Sequence, residues 1–145
     1  MPFHFKMQKV LDYREQLEEE AKVDLAHKQK LLEEARELFE RLKAELRQSE
    51  DHLFESALVP QQERWLLEQY VKGLKGDVAQ AALQARMQEQ LVDEARKLLA
   101  ARAIERKLLD KLKERQKQQY LREEQLKEQR VNDETATLRY KAPAL

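Results

Sequence analysis

Three histidines, the carboxylates at 18–20 and 123–124, and two glycines are candidates for catalysis or ligand binding by residue type. His4, His27 and His52 lie far apart, and none has a second ligand at the spacing that puts two metal ligands on adjacent helical turns. The carboxylates of 18–20 and 123–124 could act in acid–base chemistry only in a desolvated pocket. Neither glycine is followed by Lys-Ser or Lys-Thr, as a phosphate-binding loop requires. The sequence therefore predicts no enzymatic activity, no metal site and no cofactor.

Apolar residues recur at alternating three- and four-residue steps in two long stretches, and charged residues fill most other positions. In the first stretch the predicted seam is Val10, Tyr13, Leu17, Ala21, Leu25, Lys28, Leu32, Ala35, Phe39, Leu42, Leu46, Ser49 and Leu53. In the second it is Leu74, Val78, Ala81, Ala85, Gln88, Val92, Ala95, Leu99, Arg102, Leu108 or Leu109, and Leu112. About two apolar residues per heptad can bury one seam against a second helix, but cannot fill a globular core. The pattern predicts an all-α fold, a long antiparallel two-helix coiled-coil hairpin.

Composition agrees with this fold and limits the function. Charged residues make up 39% of the chain and aromatic residues 6%, which is typical of a coiled coil. The absence of cysteine favours a reducing compartment, and neither a membrane span nor the apolar core of a signal peptide occurs. Equal numbers of basic and acidic residues, 28 each, argue against neutralising many phosphates of a nucleic acid. We expect a cytoplasmic protein without direct membrane insertion.

Pro60 and the two glycines define the expected boundaries. Pro60 lacks a backbone donor and disfavours helix at Val59, so helix one is expected over about 7–55. Gly73 and Gly76 each weaken a helix by about 1 kcal/mol relative to alanine, which predicts a kinked or short helical tip. The sequence therefore predicts one coiled-coil domain, 1–145, with a turn and tip over about 56–76, helix two over about 77–140 and a tail over 141–145.

Blocks of opposite charge predict how the helices align. Residues 12–24 hold six acids and two bases, a net charge of −4, and residues 106–117 hold six bases and two acids, a net charge of +4. Facing charges favour one register, which would place residue 12 opposite 117 and residue 24 opposite 106. The segment after Tyr120 would then form a C-terminal helical overhang. Two readings of this overhang stay open. It is either a frayed, solvated helix, or a helix that is ordered by docking into a partner together with Phe3, Phe5 and Met7.

Several segments, in their order along the chain, resemble the FliJ proteins of the bacterial flagellar type III export apparatus. The resemblance lies in Phe3–Glu15, Glu18–Lys22, Arg64-Trp65, Tyr70-Val71 with Leu74, Leu109–Arg115 and Tyr120–Glu124. It covers nearly the whole chain.

This resemblance implies a non-enzymatic component of flagellar protein export, shaped like the stalk subunit of rotary ATP synthases. Family members bind the hexameric export ATPase and the cytoplasmic domain of the export gate, and they escort export chaperones. They act at the inner face of the cell membrane, at the flagellar base. The ATPase-binding residues implied here are Phe3, Phe5, Val10, Tyr13, Leu17, Leu121, Leu126, Val131 and Leu138. The gate-binding residues implied here are Leu38, Leu42, Tyr70, Leu74 and Ala81.

Two alternatives compete with this interpretation. One is the equivalent stalk protein of a virulence-type injectisome. The other is an unrelated coiled-coil scaffold, or an RNA-binding helix that uses the basic residues of 106–117.

Overall fold

A computed structural model describes residues 2–55 and 59–141 of the chain. Two helices account for most of these residues: α1 (Gln8–Glu55) has 48 residues and α2 (Gln61–Lys141) has 81. The helices pack against each other, and the described ranges contain no strand. The predicted all-α helical hairpin is confirmed.

Each helix is preceded by a residue whose carbonyl accepts a hydrogen bond from the first turn of the helix. The Phe5 carbonyl accepts a hydrogen bond from the Gln8 N–H at 3.1 Å, and Phe5 itself is only 4% exposed, so this buried ring anchors the start of α1. At the start of α2 the Pro60 carbonyl accepts a hydrogen bond from the Arg64 N–H at 3.1 Å. Proline is tolerated at this position because the first residues of a helix need no backbone donor.

The predicted boundary of helix two is wrong. We expected helix two from about residue 77, after a separate tip, but α2 begins at Gln61 and continues through Gly73 and Gly76. No glycine has a positive φ. Val71 and Leu74 are each only 5% exposed, so packing next to both glycines outweighs their helix-weakening cost of about 1 kcal/mol each. Positions 56–58 of the expected turn and 142–145 of the expected tail lie outside the described residues.

Contacts between residues group into two compact units. The central unit comprises residues 19–101, and the described part of the terminal unit comprises residues 2–18 and 102–141. That the chain is a single domain stays a prediction.

The core of the central unit follows the predicted seam closely. Its buried apolar residues are Ala21, Leu32, Val71, Leu74, Ala81, Val92 and Ala95. The other predicted seam positions from 25 to 53 and from 78 to 99 are half-buried. Ion pairs join Arg36 to Glu89 and Glu50 to Lys75, each at 3.8 Å. The later residue of α1, Glu50, pairs with the earlier residue of α2, Lys75, so the helices of this unit are antiparallel.

The core of the terminal unit departs from the predicted seam. Val10 and Tyr13 are 41% and 56% exposed, whereas Leu11 is 2% exposed and Glu18 is 7% exposed. Counting back from residue 21 in steps of three and four gives 18, 14 and 11, so the seam passes through two charged residues. The predicted seam lies one residue away because Val10, Tyr13 and Leu17 form an apolar series at similar spacing beside the true seam.

The predicted register is also wrong. The predicted register placed residue 24 opposite residue 106, but the Arg106 side chain bonds to Glu18, six residues earlier in α1. The blocks of opposite charge indicate only roughly which residues of the two helices face each other. Because α2 begins at Gln61, without the expected separate tip, each residue of α2 faces an earlier residue of α1 than predicted. The predicted overhang remains, because Phe3 contacts Tyr120 at a ring-centroid distance of 5.7 Å, and residues 121–140 are exposed except for a half-buried Glu124.

Candidate partner-binding surfaces

A network of charged side chains replaces apolar contacts in the seam of the terminal unit. The Arg106 guanidinium donates through Nε to the Glu18 carboxylate and through Nη1 to Asp110 Oδ2 at 2.6 Å. The Glu18 side chain is 9% exposed and that of Arg106 is 28% exposed. The hydrogen bonds to Glu18 and then to Asp110 raise the pKa of Arg106 above its ordinary value. The guanidinium therefore stays charged and holds α2 against α1 at this point.

A second set of ion pairs lies beside the first. Arg14 Nη1 donates to Glu105 Oε2 at 2.9 Å, and Arg102 Nη1 lies 3.4 Å from the same oxygen. Ion pairs and hydrogen bonds need specific partners, whereas apolar contacts tolerate slippage. The terminal unit is therefore aligned by charge as well as by the buried Phe5 and Leu11.

The N-terminal ATPase-binding candidates fall into two groups. Phe5 is buried and Phe3 is half-buried against Tyr120, so both belong mainly to the core of the terminal unit. Val10 and Tyr13 are exposed, and Leu17 is half-buried. Since these last three lie within two turns of α1 on one face, they form an accessible apolar strip.

The C-terminal ATPase-binding candidates are all exposed, from 49% for Leu126 to 71% for Leu138, with Leu121 and Val131 between these values. Val131 and Leu138 are seven residues apart and lie on the helix face that carries Tyr120, which continues the seam of α2. A face with this spacing can pack against a helix or line a cavity of a partner.

The gate-binding candidates are divided between core and surface. Leu74 and Ala81 are each 5% exposed and lie in the core of the central unit, and Leu42 is half-buried. A partner could touch Leu74 or Ala81 only if the helices separated. Leu38 and Tyr70, at 42% and 49% exposed, are accessible with the helices packed.

Tyr70 is held in place by a contact from the other helix. Its hydroxyl donates a hydrogen bond to the Glu45 carboxylate. This hydrogen bond, followed by desolvation and the negative charges of Glu45 and Asp77, raises the pKa of Tyr70 above its ordinary value. The exposed ring is thus fixed in orientation and surrounded by negative charge.

Beside Tyr70 a groove runs between α1 and α2, which we name the tip groove. It is lined by Gln48, Ser49, Asp51, His52, Glu55, Leu67 and Tyr70. Asp51 and Glu55 were not among the predicted site residues. Their spacing of four residues places them on one face of α1, but only the correct register brings that face next to Tyr70.

The described residues show no arrangement suited to a metal ion or a membrane span. Among them, no cluster of three or more His, Cys, Asp or Glu side chains is placed to hold a metal. No described helix is long and apolar enough to cross a membrane.

Comparison with known proteins identifies the family of the chain. The family model described as flagellar FliJ protein matches residues 3–144, which is almost the entire sequence. No curated protein and no solved structure gives a significant match. Members of this family are non-catalytic components of the flagellar export apparatus at the flagellar base. The match confirms the resemblance seen in the sequence, and the chain belongs to the flagellar FliJ family.

Proposed function

We propose that this chain couples the hexameric flagellar export ATPase to the cytoplasmic domain of the export gate, and that it also escorts export chaperones. The terminal unit would enter the ATPase ring, and the central unit would contact the gate near Tyr70. The matched family is flagellar, which favours this proposal over an injectisome stalk or an RNA-binding helix. We place the protein on the cytoplasmic side of the membrane, at the flagellar base.

The observation that carries the proposal is the exposed end of α2. Residues 121–141 remain helical, and within the described part of the chain their hydrogen bonds and ion pairs are local, such as Glu124–Lys127 and Thr135 to the Val131 carbonyl. A lone helix of about 20 residues spans about 30 Å and is only marginally stable in water. The exposed large hydrophobic residues along this segment are Leu121, Leu126, Val131, Leu138 and Tyr140. A partner that surrounds the segment would bury these residues and stabilise the helix.

The exposed residues of the central unit support a second contact. Tyr70 combines an apolar ring with a fixed orientation, and tyrosines are frequent anchors of protein interfaces. Leu38, on α1, adds a second exposed apolar side chain. The other gate-binding candidates pack in the seam between the helices: Leu42, Leu74 and Ala81.

Two reciprocal variants test the proposal. Residues 121–140 are exposed apart from the half-buried Glu124, so deletion of residues 121–145 should change the melting temperature little. The deletion should strongly reduce stimulation of nucleotide hydrolysis by the export ATPase and leave gate affinity unchanged. The control is Tyr70→Ala in the full chain, which should weaken gate binding about fivefold or more and leave ATPase stimulation intact.

Each deviation from this pattern has a defined meaning. Full stimulation by the truncated chain would contradict entry of the overhang into the ATPase. A sharply lower melting temperature would show that residues after 120 pack on α1. Unchanged gate affinity of Tyr70→Ala would remove Tyr70 from the gate surface.

A further inference from the structure

The tip groove combines an exposed aromatic ring with two exposed carboxylates. Asp51 and Glu55 on α1 face the groove together with Leu67 and Tyr70 on α2, and His52 completes the α1 side. Asp51 and Glu55 are exposed, and neither forms an ion pair with any residue in the described ranges. Nearby Glu50, by contrast, is 3.8 Å from Lys75. Two negative charges in the groove are therefore available to a ligand.

The surrounding chain adds to the negative potential. Residues 45–55 hold four carboxylates and one arginine, a net charge of −3 although the whole chain is neutral. One of these carboxylates, Glu45, accepts the Tyr70 hydroxyl at the side of the groove. A cation entering the groove would meet favourable potential from several directions.

The aromatic ring favours the same kind of ligand. The face of a tyrosine ring is negative and attracts ammonium and guanidinium groups. The chain already uses this contact elsewhere in the central unit, where Lys43 Nζ lies 5.7 Å from the centre of the Phe39 ring. In the tip groove the ring is held by its hydroxyl, so little ordering is needed when a cation binds.

We propose that the tip groove binds an arginine or lysine side chain from a basic segment of a protein partner. The charged group lies between Asp51 and Glu55, and its aliphatic stem packs along Leu67 and Tyr70. The inference rests on the proposed function in assigning that segment to the cytoplasmic domain of the export gate. It goes further by stating the chemistry that the gate must present: a cation flanked by apolar residues.

The test compares two double charge reversals in the full-length chain. Asp51→Lys with Glu55→Lys places two cations in the groove. The matched control, Glu33→Lys with Glu37→Lys, has the same spacing on the same helix, changes the net charge equally and alters exposed residues outside the groove. Circular dichroism verifies the fold of both variants. Binding of the gate cytoplasmic domain is then measured by calorimetry at low and high salt concentration.

The groove variant should bind the gate domain at least about tenfold more weakly than the wild type at low salt, with a smaller dependence on salt. The control variant should bind like the wild type. Equal loss in both variants would show a general charge effect and overturn the groove assignment. Unchanged affinity in the groove variant would also overturn it, while leaving the proposed gate contact intact.

A second probe separates failure of the inference from failure of the proposed function. If the wild-type chain does not bind the gate domain at all, the gate contact is wrong. The groove is then tested with a short peptide carrying Leu-Arg-Leu and its Leu-Glu-Leu counterpart, followed by NMR shifts of Tyr70 and Leu67. Preference for the arginine peptide, lost only in the groove variant, supports the cation site. Equal or absent binding of the two peptides overturns it.

Discussion

Glu18 offers the sharpest test of how the terminal unit is held together. Its side chain is 9% exposed, and its carboxylate accepts a charged hydrogen bond from Arg106 across the seam. A hydrogen bond to a charged group contributes about 1.5–3 kcal/mol. When Glu18 is removed, the Arg106 side chain, which is 28% exposed, is still hydrated by water and still bonds to Asp110 at 2.6 Å. These interactions offset part of the loss. We therefore expect Glu18→Ala to lower the free energy of unfolding by about 1–2 kcal/mol.

For a chain of this length that loss lowers the melting temperature by about 3–7 °C. The matched control is Glu19→Ala, because the Glu19 side chain is 70% exposed and its ion pair with Lys22, at 3.8 Å, lies within α1. This control should change stability by less than about 0.5 kcal/mol. Thermal melts of both variants, followed by circular dichroism at 222 nm, make the comparison. Identical melts would refute the view that the seam charges stabilise the terminal unit.

Two other predictions concern α2. Gly73→Ala combined with Gly76→Ala should raise the free energy of unfolding by about 1 kcal/mol per site in urea denaturation, because both lie inside the helix and an added Cβ meets nothing within 4 Å; a loss of stability would show that glycine is required there. Since the pKa of Tyr70 is raised by its bond to Glu45, stability from this bond is present below the ordinary tyrosine pKa and is lost as pH rises through the raised value. Tyr70→Phe should remove that part of the alkaline loss, and identical pH profiles of the two proteins would contradict the hydrogen bond.

The seam of the central unit could be predicted over residues 21–53 and 74–99 because it is mostly apolar there. Regular steps of three and four from Ala21 to Leu53 and from Leu74 to Leu99 match the buried and half-buried positions of the structure. In such a stretch the hydrophobic pattern and the packing coincide. Periodicity alone was therefore sufficient.

The terminal unit could not be predicted in the same way, because its seam carries charge. Arg14 and Glu18 occupy seam positions through ion pairs with α2, while apolar Val10 and Tyr13 face outward. A rule that assigns apolar residues to the inside necessarily reverses these roles. Continuing the three-four steps backward from Ala21 would have identified the correct positions.

The residues of the tip groove were only partly predictable from the sequence. Tyr70 was among the gate-binding residues that the family resemblance implied, and its side chain is exposed. Asp51 and Glu55 were missed because the charge-based register was several residues off. The glycine cost of about 1 kcal/mol each was treated as decisive, although it is small compared with the burial of Val71 and Leu74.

If the chain couples the export ATPase to the export gate, it must bind both proteins at the same time. The most direct measurement is the mass of complexes formed by the ATPase hexamer and the gate cytoplasmic domain, with and without this chain, by size-exclusion chromatography with light scattering. We expect the ATPase and the gate domain to elute together only when the chain is present. If the ATPase and the gate domain instead displace each other from the chain, the two surfaces overlap and the coupling proposal is wrong.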